Sequence, residues 1–223
     1  MLPSVSNETP LRERNRRRTR RRIEDAATSL VVAHGFANVT VDDICRDAEI
    51  SRRTFFNYMD SKDEAILGPS PMALSDDRRE QFLAEPSDNL VRSALENIIA
   101  TTTEAEDVTI EQGADEEFVA TLRTRRHQIL ANEPAVAVMS LNRFREQSLL
   151  MRELITEHLT RHPGDRKLPD VPLDTEATII NGLIRESVWL HMTTPAFTSA
   201  TERTRLLLQA GENITTLAKE LTW

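Results

Sequence analysis

Apolar residues recur along this chain at intervals of three and four, and almost nowhere at the two-residue interval of a half-buried strand. Ile23, Ala26, Ala27, Leu30 and Val31 make one helical stripe, which Gly35 closes. Val41, Ile44, Cys45 and Ala48 make a second, opened by Thr40 and Asp43 at capping-box spacing. After a turn at Glu49 and Ile50, Ser51 is placed to cap a helix running to Met59, with Phe55 and Met59 on its inner side. Ser61 and Glu64 repeat the capping box and start a helix to Leu67, where Gly-Pro-Ser-Pro at 68–71 interrupts the chain. Further on, the periodicity predicts helices over 72–84, 88–104, 113–132, 134–161, 173–192 and 199–221. Pro134 suits a first helical turn, and His162-Pro163-Gly164 ends the longest helix, before a loop reaching Pro172. The predicted fold class is all-α.

The outward positions of the 51–59 helix are Arg52, Arg53, Thr54, Asn57 and Tyr58. Two guanidiniums at a helix start can each fork onto guanine O6 and N7 in a major groove, and the three shorter side chains suit phosphates or base edges. Lys62 falls in the first turn of the next helix, where its charge opposes the helix dipole and a phosphate would offset that cost. Upstream, residues 12–22 hold arginines at 12, 14, 16, 17, 18, 20, 21 and 22 with one acid, Glu13. A basic run leading into the reading unit suits an arm that tracks phosphates or enters a minor groove, with Arg17 and Arg18 as its candidates.

These residues carry a family resemblance. The helix ending in Ala-His-Gly-Phe at 33–36, Thr-Val-Asp-Asp-Ile at 40–44, Ser-Arg-Arg-Thr-Phe-Phe-Asn-Tyr at 51–58 and Ser-Lys-Asp-Glu at 61–64 resemble the tetracycline-repressor-like (TetR) family of bacterial regulators. The resemblance covers about the first third of the chain. It implies a homodimeric repressor with an N-terminal three-helix helix-turn-helix DNA-binding domain and a C-terminal helical domain for ligand binding and dimerisation. On that pattern Arg52, Arg53 and Asn57 match base-reading places, and Thr40, Thr54, Tyr58 and Lys62 match backbone-contacting ones. Two residues depart from it. Glu49 stands where many members have Gly, so a left-handed turn there costs about 1 kcal/mol or the turn differs. Phe56 stands where many have Tyr and has no hydroxyl for a phosphate; Tyr58 is a substitute for that contact. The expected layout is a flexible basic arm over 1–18, the DNA-binding domain over 19–67, and the effector and dimerisation domain over 68–223.

The formal net charge of −8 changes meaning once divided. Residues 1–62 hold 12 Lys and Arg against 9 Asp and Glu, net +3, while the rest hold 16 against 27, net −11. A basic head on an acidic body suits a reader of DNA and disfavours an architectural protein that wraps it. One cysteine, no apolar run near 18 residues and a polar start predict a cytoplasmic chain that neither crosses a membrane nor is secreted.

Two late helices are apolar around much of their circumference. Ala177, Ile180, Ile184 and Val188 on one, and Leu207, Ala210, Ile214 and Leu217 on the other, are therefore the expected dimer interface. Phe118, Leu122, Met139, Phe144, Met151 and Trp189 are candidates to line a pocket for a small, largely apolar effector of unknown identity, or else to be close-packed core. Arg123, Arg126, His127 and Arg143 are the residues able to anchor an anionic head group. An enzyme is the main competing class, but there is no phosphate loop, nucleophile elbow or dinucleotide fingerprint. His158 and His162 have metal spacing without a third ligand, and no cofactor or metal is expected. The expected partners are a palindromic double-stranded DNA operator, the effector and a second copy of the chain; control by a protein partner alone is the remaining alternative.

Overall fold

Hydroxyl caps punctuate the first part of the chain as its sequence requires. The computed structural model describes residues 8–68, 70, 72–110, 116–193 and 200–221. Helix α1, Glu8–His34, ends at Gly35, whose φ of 81° few other residues adopt. A short 3-10 turn, Phe36–Asn38, leads to α2, Val41–Asp47, and there the capping box is complete: the Thr40 hydroxyl accepts from the Asp43 amide and Asp43 Oδ2 accepts from the Thr40 amide. Helix α3, Arg52–Phe56, is capped by Ser51, which accepts from the Thr54 amide at 3.0 Å. Its regular part is shorter than the predicted 51–59, yet Met59 still donates to the Phe55 carbonyl, so Phe55 and Met59 share the inner side. Helix α4, Lys62–Leu67, is capped by Ser61, while Glu64 reaches back to the Asp60 amide at 2.7 Å.

The turn between α2 and α3 keeps the left-handed geometry without the glycine. Glu49 has φ +48°, and its carboxylate pairs with Arg22 at 3.1 Å on the surface. Left-handed backbone costs a residue with a Cβ about 1–2 kcal/mol, and an exposed ion pair returns well under 1 kcal/mol. Glu49→Gly is therefore expected to stabilise the protein by about 1 kcal/mol, seen as a melting temperature higher by about 2–4 °C. A lower melting temperature would mean that the Arg22 pair outweighs the strained turn.

The remaining helices are α5, Asp76–Ala84; α6, Leu90–Ile110; α7, Glu116–Asn132; α8, Pro134–Arg161; α9, Leu173–Thr193; and α10, Ala200–Glu220. No strand occurs among the described residues, so the chain is all-α. Helix α5 starts four residues later than the predicted Met72. Met72 instead lies in a turn and is buried in the core, and the Ser75 amide at the helix start donates to Thr101 Oγ1. Pro69 and Pro71 of the break, and the first residues of the predicted 113–132 and 199–221 helices, lie outside the described residues.

By contact the chain forms two compact units. The first holds residues 1–69 and 106–142, and the second 70–105 and 143–223. Unit one thus takes up α7 and the start of α8, which a linear reading groups with the effector domain. Its core gathers Ile23, Ala27, Val31, Ile44, Phe55, Met59 and Ile66 together with Ile129 and Val136 from the later segment. An ion pair and a hydrogen bond tie the later segment to the earlier one: Arg125 meets Asp25 at 2.6 Å, and Glu133 accepts from the Phe36 amide at 3.1 Å. The basic run expected as a flexible arm is helical from Glu8 onward, continuous with α1.

Unit two packs Leu95, Ile98, Met151, Ile155, Leu159, Ala177, Ile184 and Val188 into one core. Buried His158 fastens its end, with Nδ1 2.7 Å from the Phe82 carbonyl oxygen and Nε2 2.8 Å from Asp165. Glu176, also buried, accepts from Arg166 Nε at 2.8 Å and from the amides of Lys167 and Leu168 at 2.5 and 3.0 Å, which orders the loop after α8.

The residues expected at the dimer face divide between this core and the surface. Ala177, Ile184, Val188, Leu207 and Ala210 are buried within the chain itself, so they have no surface to offer a partner. Ile180 and Ile214 are half-buried. Among the described residues, the large apolar side chains left exposed here are Ile179, Trp189 and Leu190 on α9, Leu217 on α10 and Leu221 just after it. A stripe at three- and four-residue spacing turns to the nearest core, and in these helices that core is internal.

Candidate nucleic-acid interface

The three helices α2 to α4 fix where each candidate side chain can go. Phe55 is wholly buried and meets Phe56 edge to face, with ring centres 5.3 Å apart, which anchors α3 and turns its other side outward. Arg52, Arg53 and Asn57 are exposed on that outer side. Thr54 and Tyr58 are half-buried there, and the Thr54 hydroxyl lies 2.8 Å from that of Ser51. The structure brings all five together on one face, where hydrogen-bond donors outnumber acceptors. Arg52 is not alone on it. Its Nη1 lies 2.8 Å from Asp42 Oδ1, and its guanidinium carbon is 5.5 Å from the centre of the Phe56 ring.

Lys62 is held differently from what its place in the helix suggests. Its Nζ donates to the carbonyls of Phe36 and Val39 at 2.9 and 2.8 Å and lies 3.7 Å from the centre of the Phe36 ring. Backbone oxygens thus offset the charge that the sequence left to a phosphate, and partial burial pushes the ammonium pKa below its ordinary value. Thr40 spends its hydroxyl on Asp43 at 2.6 Å. Hydrogen bonds from the Thr40 hydroxyl and amide hold the Asp43 carboxyl below the usual range. Cys45 is buried in the unit-one core, and burial pushes its thiol pKa up, which suits packing over nucleophilic chemistry.

The basic run divides in two. Arg20 donates to Glu64 at 2.7 Å and to the Tyr58 carbonyl at 3.3 Å, tying α1 to the corner between α3 and α4. Arg21 sits 4.3 Å from the centre of the Phe118 ring, and Arg22 holds Glu49. These three are scaffold. Arg18 is exposed on α1, and the side chain of Arg17 lies outside the described residues. Arg126, which the sequence offered only as an anchor for an anionic head group, donates from Nε to the Ile66 carbonyl at 2.9 Å where α4 ends. The neighbouring Gly68 has φ +72°, and a Cβ there would stand 2.7 Å from the Arg126 guanidinium, so glycine is required. An arginine answering a helix C-terminus was the available signal, but nothing in the sequence pairs the two positions.

The six expected pocket residues do not share one unit. Phe118, Leu122 and Met139 belong to unit one; Phe144, Met151 and Trp189 belong to unit two. Within unit two the rings of Phe144 and Trp189 are 5.8 Å apart, and Met151 is core. A cleft of about 290 Å³ in the same unit is lined by other residues, among them Val91, Leu95, Arg205, Leu208 and Glu212. No group of three or more potential metal ligands exists among the described residues, and no described helix is long and apolar enough to cross a membrane.

The chain is similar in sequence to known proteins over the same helices. The sequence profile described as bacterial regulatory proteins, tetR family, matches residues 23–66, the segment from the middle of α1 to the end of α4. A protein of Mycobacterium tuberculosis named as a mycofactocin biosynthesis transcriptional regulator, MftR, is 28% identical over 84% of this chain and 87% of its own length. The HTH-type transcriptional regulator TcmR of Streptomyces glaucescens is 39% identical over 66 residues, 30% of this chain and 29% of TcmR. A solved structure described as a TetR-family transcriptional regulator, from Syntrophomonas wolfei, aligns with a TM-score of 0.43 at 18% identity, covering 89% of this chain and 95% of that one. The family profile thus falls on the capped helices that carry Arg52 and Arg53, and both of these relatives are named as regulators of transcription.

Proposed function

We propose that this protein is a repressor that binds a palindromic operator as a homodimer and releases it when a small, largely apolar effector occupies the second unit. The observation that carries the reading is the outer side of α3, where Arg52, Arg53 and Asn57 stand exposed on a helix anchored from behind by Phe55. These three read base edges. Thr54, Tyr58 and the third N–H of Lys62 meet phosphates, Thr40 reaches one by exchanging its Asp43 partner for it, and Arg17 and Arg18 extend the contact along the backbone or into the minor groove. Two copies place their α3 helices about one DNA turn apart, joined through the apolar residues that α9 and α10 leave exposed. The Phe144 and Trp189 pair supports an apolar effector site in unit two, and the effector acts by binding the DNA-free state more tightly. The protein works in the cytoplasm and catalyses no reaction.

The test is binding of the purified protein to its own upstream intergenic duplex and to a scrambled duplex across a salt series. Tight, salt-dependent binding with a clear preference for the natural duplex is expected. Arg52→Ala should cost about 1–3 kcal/mol and relax one base position in each half-site. Equal losses on natural and scrambled DNA would overturn the base-reading role.

A further inference from the structure

We propose that Asp42 is a positioning residue for Arg52, one that sets the sequence specificity of the reading helix without itself reading a base. The inference rests on the base-reading role given to Arg52 above. Arg52 and Asp42 are 60% and 64% exposed, yet Arg52 Nη1 is 2.8 Å from Asp42 Oδ1 and the guanidinium lies beside the Phe56 ring. A free arginine on a helix surface samples many rotamers and can drift to whichever phosphate is nearest. Here it is held from two sides, by a carboxylate in the first turn of α2 and by an exposed aromatic of its own helix. The carboxylate is itself fixed, because the Thr40 and Asp43 capping box sets the start of that helix.

The chemistry allows the hold and the reading together. A guanidinium carries five N–H donors in a fixed plane, and Asp42 engages one nitrogen, which leaves donors for guanine O6 and N7. The same carboxylate acts on unspecific contact with the opposite sign, since an exposed negative charge beside Arg52 repels phosphates. Both effects raise discrimination: the arginine is pre-aimed at a base, and its use as a loose phosphate contact is opposed. Phe56, which lacks the hydroxyl of a phosphate ligand, gains a role as the wall against which the arginine rests. The pair is too exposed to matter much for folding, so its removal separates specificity from stability.

The experiment starts from the duplex that the wild-type protein enriches from a randomised pool. Affinities of the wild type, Asp42→Asn, Phe56→Leu, Arg52→Ala and the Asp42→Asn/Arg52→Ala double variant are measured for that duplex and for its single base-pair substitutions. Asp42→Asn should lose at least about 5-fold of discrimination at the base pair that Arg52→Ala also relaxes, the lower end of what one bidentate contact supplies. It should bind scrambled DNA at least as tightly as the wild type, with its melting temperature little changed. Phe56→Leu should relax the same base pair, and Asp42→Asn should have no further effect there once Arg52 is gone. If Asp42→Asn instead raises affinity for every duplex by one common factor, Asp42 is only a negative charge and the proposal is overturned. If no duplex is enriched, or Arg52→Ala shifts no base preference, the base-reading role fails and the proposal falls with it.

Discussion

Phe55→Ala is expected to destabilise the protein by about 3–5 kcal/mol and to abolish DNA binding at 37 °C. Phe55 is fully buried among Ile23, Ala27, Ile44 and Met59, the point at which α1, α2 and α3 converge. Truncating it removes the apolar area of a whole ring and leaves a cavity that these helices, pinned by three hydroxyl caps, cannot easily close. A loss of that size approaches the whole stability of many small domains. Chemical denaturation followed by circular dichroism measures it, beside a DNA-binding titration. Phe55→Leu fills most of the volume and should keep binding at a much smaller cost. Wild-type stability in Phe55→Ala would mean that α3 is not anchored through this side chain.

The second large effect belongs to unit two. Glu176→Gln should cost about 3 kcal/mol at pH 7, because it leaves Arg166 without its counter-charge and weakens the acceptors of two loop amides. Burial alone would raise the Glu176 pKa, but the Arg166 guanidinium and the Leu168 and Lys167 amides outweigh it and hold the carboxyl below its ordinary range. Burial also acts upward on Asp165, where the Ser87 amide and His158 reverse it. A carboxyl depressed in the folded state stabilises it fully above the unfolded-state pKa, near 4, and loses that contribution as pH falls through the folded value. The gap in stability between wild type and Glu176→Gln should therefore be widest near neutrality and close below about pH 4. A gap that stays constant down to pH 3 would mean that the carboxylate charge is not what holds the loop.

What was legible in the sequence is what depends on neighbours a few residues away. Thr40 with Asp43, Ser51 with Thr54 and Ser61 with Glu64 satisfy helix amides within one turn, so spacing alone located α2, α3 and α4. The left-handed turn at Glu49 came only from the resemblance, which left open whether the turn differs; its φ is +48°. What was hidden depends on distant partners. Arg20 looks like any member of a basic run until Glu64, 44 residues on, is placed beside it. The stripes of α9 and α10 show that one side of each helix is apolar, but not whether the chain's own core or a second copy covers it. The candidate pocket residues likewise depend on distant partners: Phe118 lies under Arg21 in one unit, while Phe144 meets Trp189 in the other.

The division of labour within α3 bears on how its preference could be rewritten. Ser51 and Thr54 share a cap, and Phe55 and Met59 are sunk in the core, so four positions of this short segment are committed to holding it in place. A library seeking a new target sequence has room at 52, 53 and 57 only, and position 42, on a different helix, must vary along with 52. Swapping α3 alone into a related regulator would carry over its letters without the residue that aims one of them.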